Sequence, residues 1–211
     1  MKLPRYILDF EARISDAIQA FAAGLPRGAF VLDAGAGESR HRADFTRQRY
    51  IGVDLGVGDG AWNYGELDAV ADLAALPFRA GAFDAAINIV TLEHVREPAL
   101  VLSEIARVLK PGGRLLIVVP HEWETHQAPH DYFRYTRHGL EMLLTEAGFA
   151  VETLEPAGGI FRLLSRRMLS AIKVSWVAAI LAPVALVLPL LDGLDRKRDS
   201  TLGYVCVARR K

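Results

Sequence analysis

The sequence predicts an α/β fold, a parallel sheet covered by helices on both faces, and three observations carry that prediction. Short apolar runs stop on acids, as buried parallel strands do: Ala29-Phe30-Val31-Leu32 before Asp33, and Tyr50-Ile51-Gly52-Val53 before Asp54. Segments with apolar residues every three or four positions lie among such runs, and this is the helical period. The alternation repeats along the chain, and parallel strands need such helical crossovers. The 211 residues fit one domain, 1–211, whose core is large enough to need no metal or disulfide. A lone cysteine, Cys206, excludes an intramolecular disulfide and fits a reducing compartment.

Taken in order, residues 6–23 read as a helix on Ile7, Phe10, Ile14, Ile18 and Phe21, ended by Gly24, Pro26 and Gly28. After the first strand, Gly35 and Gly37 make a tight turn into a polar helix over about 39–47. Strands are expected at 50–53, 69–71 and 83–90. A helix over 98–109 starts on proline and is broken by Lys110-Pro111-Gly112-Gly113, before a strand at 114–119. Thr136 caps a helix with an apolar face of Leu140, Leu143, Leu144 and Ala147, closed by Gly148. Strands at 149–154 and 200–211 complete the pattern.

Residues 157–199 break this rhythm as a hydrophobic and basic insertion. Arg162, Arg166, Arg167 and Lys173 precede a nearly uncharged run at 174–191, and Arg196-Lys197-Arg198 follow it. The run is the source of a 51% apolar composition and a mean hydropathy of +0.17. At about eighteen residues, against the roughly 20 of a spanning helix, its length leaves crossing open. The strands before and after it should pair in one sheet, however, which a single crossing would separate, and Pro183 and Pro189 interrupt the run. Shallow peripheral membrane contact through 162–198, an apolar lid, or a homodimer interface are the readings it supports. Lys plus Arg equals Asp plus Glu at 25 each, so the chain has no global attraction to nucleic acid, and none is expected as partner. Asp9 and Glu11 interrupt any apolar signal segment near the start, so a cytoplasmic chain is expected, with the inner face of the membrane as the peripheral alternative.

The motif Asp33-Ala34-Gly35-Ala36-Gly37 lets backbone N–H groups approach a ligand that a Cβ would block. Position 40 is Arg40 where a dinucleotide fingerprint needs its third glycine, and an acid at the strand end suits a cationic ligand better than a pyrophosphate. Asp54 is placed to accept both hydroxyls of a ribose. Asp72, followed by Leu73, is placed to accept from an exocyclic amine. Any one of these acids alone is better read as a solvated strand end or helix cap; three at successive strand ends converge on the edge where open α/β sheets bind ligands.

Residues 29 to about 155 resemble a class I S-adenosylmethionine (SAM)-dependent methyltransferase, of the methyltransferase type 11-like family. The stretches that carry the resemblance are Val31 to Ser39, Ile51-Gly52-Val53-Asp54, Asp72 to Phe78, Phe83-Asp84 leading to Leu92-Glu93-His94-Val95, and Glu104 to Leu115. The resemblance implies a Rossmann-like seven-stranded sheet, mostly parallel with its last strand antiparallel. It also implies SAM as cofactor and S-adenosylhomocysteine as product. Asp33, Gly35 and Gly37 would surround the methionine part, Asp54 and Leu55 the ribose, and Asp72 and Leu73 the adenine. Asn88 would lie beside the sulfonium.

Acceptor residues crowd the loop after the strand at 114–119: His121, Glu122, Trp123, His126, His130, Asp131, Tyr132, Arg134 and Tyr135. With His94, four of six histidines fall here, and imidazole takes up a proton near neutral pH. His94, His121 and His130 are the catalytic candidates, with Asp131 as the acid that orients a histidine. For His94, capping or orientation competes equally with acid–base work. His121, Glu122, His126 and His130 are ligand types, but their spacing matches no metal motif, and no metal is expected. The expected activity is O-methylation of a small-molecule or lipid-linked acceptor. The alternatives are C- or N-methylation of a quinone- or lipid-like acceptor, or a catalytically silent SAM-binding module.

Overall fold

A computed structural model describes residues 9–58, 60–171 and 181–211. Seven strands form one sheet in the order β3-β2-β1-β4-β5-β7-β6. They are β1 (Phe30–Ala34), β2 (Arg49–Asp54), β3 (Ala69–Val70), β4 (Phe83–Ile89), β5 (Leu109–Pro120), β6 (Phe149–Pro156) and β7 (Gly203–Arg210). β7 runs antiparallel to both β5 and β6, and the other pairings are parallel. The expected seven-stranded Rossmann-like sheet, with its last strand antiparallel, is therefore the one observed.

Successive residues of the central strands point to opposite faces, so each face has its own core. On one, Val31, Ala85, Ile87 and Leu116 pack against Ile18, Phe21 and Ala22 of α1 (Asp9–Ala23). On the other, Leu32, Ala86, Leu115 and Ile117 pack against α2 (Pro98–Val108) and α3 (Arg137–Glu146) through Leu102, Ile105, Leu140 and Leu144. Proline starts α2, and the Thr136 side chain caps α3 by accepting the Gly139 N–H at 3.1 Å. The Lys110–Gly113 breaker bulges out within β5: the register jumps from Phe83↔Leu109 to Ala85↔Arg114.

The polar helix expected over 39–47 is instead a 3-10 helix, Arg40–Phe45. Ser39 sits in the left-handed region at φ 57 and turns its hydroxyl to the Glu66 carbonyl rather than capping a first turn. The expected helix start at residues 6–8 lies outside the described residues. So do residues 172–180 of the insertion, so the apolar run is described from Leu181 onward. Around them stand α4 (Ile160–Ala171), α5 (Ala182–Val187) and a 3-10 helix, Leu188–Leu194. Among the described residues, no helix is long and apolar enough to cross a membrane.

The sheet order reverses direction between β1 and β4. From β1 the chain builds outward to β2 and β3; from β4 it builds the other way. Ligands of open α/β sheets bind at such a switch point, beyond the carboxyl ends of the strands.

Candidate active site

At that switch point, Gly35 adopts φ +92, and a Cβ there would fall 2.2 Å from the Thr91 Cγ2. A Cβ on Gly37, at φ +52, would stand 3.2 Å from the Trp62 ring. This bare backbone fronts a cavity of about 580 Å³. Gly35, Gly37, Asp54, Leu55, Asp72, Leu73, His94 and His130 line it, which brings together eight of the residues singled out from the sequence.

Asp54 ends β2 with its carboxylate fixed: Oδ2 accepts the Gly37 N–H at 3.0 Å and Oδ1 accepts the Gly56 N–H at 2.8 Å. A carboxylate has about four acceptor positions, so capacity for two hydroxyls remains. Asp72 Oδ1 accepts the Ala74 N–H at 2.9 Å, which caps the short 3-10 turn Leu73–Ala75.

Asp33 and Asn88 are buried and do not line the cavity. The Tyr50 hydroxyl donates to Asp33 Oδ2 at 2.5 Å, and Asn88 Nδ2 donates to the Ala34 carbonyl at 2.7 Å. Among the described residues, neither the other Asp33 oxygen, Oδ1, nor the Asn88 Oδ1 has a hydrogen-bond partner. Burial pushes the Asp33 carboxyl up from 3.8 to about 7, with the Tyr50 hydrogen bond opposing.

The loop after β5 folds back onto the 3-10 turn Leu92–His94. The Tyr132 and Phe133 N–H groups donate to the Glu93 carbonyl at 2.9 and 3.3 Å, and the Tyr135 hydroxyl donates to the Leu92 carbonyl at 2.8 Å. This docking places His126, His130 and Trp123 on the cavity wall with His94. His121 stands off that wall, its Nδ1 2.9 Å from the Tyr135 carbonyl and its ring against Tyr204. Asp131 also stands off it. Arg134 donates to both its oxygens at 2.6 and 2.8 Å, which holds this carboxyl down at about 2. Asp131 therefore braces the loop; its nearest imidazole nitrogen, His126 Nδ1, is 3.6 Å away.

Glu93 is fully buried, and neither of its carboxylate oxygens has a hydrogen-bond partner. Burial pushes this carboxyl up to about 8 and lowers the neighbouring His94 ring. Sequence reasoning also missed Trp62, Thr91, Phe10 and Ile14, which complete the wall and leave no local signature. From outside, α4 clamps the loop: Arg166 stacks 3.5 Å over Trp123 and pairs with Glu124 at 3.0 Å, and Arg167 pairs with Glu124 at 3.4 Å.

A methyltransferase-domain family model matches residues 32–117. A probable S-adenosylmethionine-dependent methyltransferase of Mycolicibacterium smegmatis is 30% identical over 212 aligned positions, 87% of this chain and 82% of that one. A tRNA (carboxymethyluridine(34)-5-O)-methyltransferase of Arabidopsis thaliana is 35% identical over 117 residues, 52% of this chain and 28% of that one. The chain thus spans about a third or less of the length of the first curated relatives it matches. Among solved structures, a Burkholderia thailandensis 1,6-didemethyltoxoflavin-N1-methyltransferase with bound S-adenosylhomocysteine superposes with a TM-score of 0.63. That likeness is one of fold, at 22% identity over 95% of this chain and 79% of that one. With a glycine cradle and acids at the switch point, and a full-length relative of the same kind, the chain belongs to the class I SAM-dependent methyltransferases.

Proposed function

We propose that this methyltransferase acts on oxygen, in a small-molecule or lipid-linked acceptor. The observation that carries the proposal is the wall of His94, His126 and His130 on the same cavity, His94 following β4 across β1 from the strand ends that carry Asp54 and Asp72. The residues present fit SAM: a cradle that a Cβ would fill, and carboxylates with free acceptor capacity. Gly35 and Gly37 would hold its methionine part above Asp33, with Asn88 beneath the sulfonium. Asp54 and Leu55 would hold the ribose, and Asp72 and Leu73 the adenine. When bound, SAM supplies a methyl group already activated by its sulfonium. The chain then positions the acceptor, excludes water and takes a proton from a reluctant nucleophile such as a hydroxyl. His130, on the wall with Nδ1 3.1 Å from the Tyr132 hydroxyl, is the base in this reading.

The Arabidopsis relative's name specifies transfer to an oxygen, which supports the choice of atom. The even charge balance favours an acceptor other than its polyanionic tRNA. Leu181, Val184, Leu186, Val187, Leu190, Leu191 and Leu194 all stand exposed, and such an apolar surface suits a greasy acceptor or shallow membrane contact. It is also the surface a homodimer would bury.

The test is methyl transfer from isotopically labelled SAM to fractionated metabolites, lipids and RNA, with the labelled atom located by mass spectrometry and NMR. A methyl group on carbon or nitrogen would overturn the oxygen reading, and label confined to RNA would overturn the acceptor class. S-adenosylhomocysteine binding without turnover on any fraction would point to a silent module.

A further inference from the structure

We propose that Glu93, His94 and His126 form a divalent-metal site at the acceptor end of the cavity. One carboxylate oxygen of Glu93 and one ring nitrogen from each histidine lie within 4.8 Å of one another. Glu93 Oε1 is 3.7 Å from His94 Nε2 and 3.8 Å from His126 Nε2. Both distances are too long for hydrogen bonds. Ligand atoms around a cation with bonds near 2.1 Å stand about 3.0–3.4 Å apart, so each histidine would close on Glu93 by a few tenths of an ångström, and the two rings, whose ligand atoms lie within 4.8 Å, would draw together by about 1.4 Å at most.

The protonation pattern points the same way. His94 Nδ1 lies 2.6 Å from the His130 carbonyl, and His126 Nδ1 lies 3.1 Å from the Glu124 carbonyl. A carbonyl only accepts, so each Nδ1 carries the hydrogen and each Nε2 presents a lone pair. Those two nitrogens and both Glu93 oxygens are buried without a hydrogen-bond partner. With Glu93 ionised, as a bound cation would keep it, four acceptors therefore face one another, and among the described residues no neighbouring side chain supplies a donor. Arg134, the nearby cation, is engaged by Asp131 and by the Trp123, Glu124 and Phe133 carbonyls. Buried acceptors left this way are rare, and a cation satisfies all of them together.

The surroundings match those of metal-binding histidines. Such residues donate their second ring N–H to a carbonyl or carboxylate, which fixes the tautomer and the ring plane. Here the His130 and Glu124 carbonyls do this. Asp131 secures the loop by accepting the His126 backbone N–H at 2.9 Å. Two imidazoles and one carboxylate suit borderline cations such as Zn²⁺, Co²⁺, Mn²⁺ or Fe²⁺ better than Mg²⁺ or Ca²⁺. Both histidines line the cavity, so further coordination positions open towards the acceptor. There a cation would hold an acceptor oxygen and ease loss of its proton. This use of the metal rests on the oxygen reading above; the binding does not.

The test is a titration of the chelator-treated, desalted full chain with Co²⁺ alone, followed by its visible absorption, with metal analysis after a second desalting. The expected result is one Co²⁺ per chain, displaced by Zn²⁺. His126→Ala and Glu93→Gln should each weaken binding by more than about 100-fold, beyond what loss of an outer contact costs. Both variants should keep wild-type affinity for S-adenosylhomocysteine, which shows that they fold. His126 is a loop residue 24% exposed, so its truncation leaves the core intact. No stoichiometric Co²⁺ in the wild type, or equal affinity in the His126→Ala chain, would overturn the site. No acceptor enters this experiment, so its failure leaves the oxygen reading to the labelled product.

Discussion

Replacing Gly35 by alanine tests the cofactor cradle, because two separable costs meet at that residue. Its φ of +92 is one that residues with a Cβ rarely adopt, at a cost of about 1–3 kcal/mol. The new Cβ would also stand 2.2, 2.5 and 2.8 Å from Cγ2, Oγ1 and Cβ of Thr91. Thr91 is held in place, its hydroxyl 3.2 Å from the Gly35 carbonyl and 3.1 Å from that of Ile89. Forcing it aside adds about 1–3 kcal/mol of overpacking. The sum is roughly 2–6 kcal/mol, or a fall in melting temperature of about 4–24 °C for a chain of this size. Gly81→Ala serves as a control, since Gly81 has φ +66 and a Cβ there would meet nothing within 4 Å, so it carries the backbone cost alone. Thr91→Gly in the Gly35→Ala background should restore the steric part and leave the backbone part. Calorimetric melting of the four chains, with S-adenosylhomocysteine titrated into each, measures both. If Gly35→Ala melted within about 2 °C of wild type, or Thr91→Gly restored nothing, the close approach of these two residues would be wrong.

Three further outcomes follow from the geometry. Asp54→Ala should weaken S-adenosylhomocysteine by about 2–4 kcal/mol, through loss of charge-assisted bonds to the ribose and of the Gly37 and Gly56 anchors; unchanged affinity by calorimetry would remove Asp54 from the site. His130→Ala should lower turnover by roughly 10²-fold with cofactor affinity kept, whereas His121→Ala, off the wall, should cost far less; equal losses in steady-state kinetics would refute this. Because burial raises the folded carboxyl of Asp33 from 3.8 to about 7, the unfolded chain releases that proton first. Its contribution to stability is full below pH 3.8 and is lost as pH rises to about 7, by on the order of 4 kcal/mol. Asp33→Asn should flatten that decline in urea unfolding series at several pH values, and a decline identical in wild type and variant would refute the assignment.

The glycine turn and the acids on the cavity wall were readable in the sequence because each of them is local. Gly35 and Gly37 follow their own strand, and Asp54 and Asp72 each mark the end of another. The rule that parallel crossovers share one hand then sets β1, β2 and β3 side by side. Two of the residues singled out, Asp33 and Asn88, are buried off the cavity wall and bond Tyr50 and the Ala34 carbonyl, because side chains alternate along a strand and spacing along the sequence does not say which of them reach the cavity. The acceptor half is assembled by a loop with no periodicity to read. His126 meets Glu93 from 33 positions away, so a search for ligand spacing along the loop alone, which weighed His121, Glu122, His126 and His130, could not find the set that the fold assembles.

The same limit applies to the insertion, with the opposite effect on its reading. Arg162, Arg166 and Arg167 looked in sequence like a basic flank free to meet anionic head groups. In the fold, Arg162 pairs with buried Asp192 at 3.1 Å, and Arg166 and Arg167 share Glu124 at the edge of the acceptor loop. Releasing Arg166 to a lipid phosphate would cost its stacking on Trp123 as well as the ion pair. Among the described residues, that leaves the basic stretch Arg196-Lys197-Arg198 and the exposed leucines and valines from Leu181 to Leu194 as the surfaces that could meet a membrane, the apolar one being the larger. Binding of that kind follows buried apolar area and is little affected by salt, whereas binding through basic residues falls steeply as salt screens it. Sedimentation with neutral and anionic vesicles across a salt series therefore separates the two. Equal binding to both vesicle types, insensitive to salt, is expected of the apolar surface, and binding confined to anionic vesicles at low salt would show that basic residues of the insertion carry the contact instead.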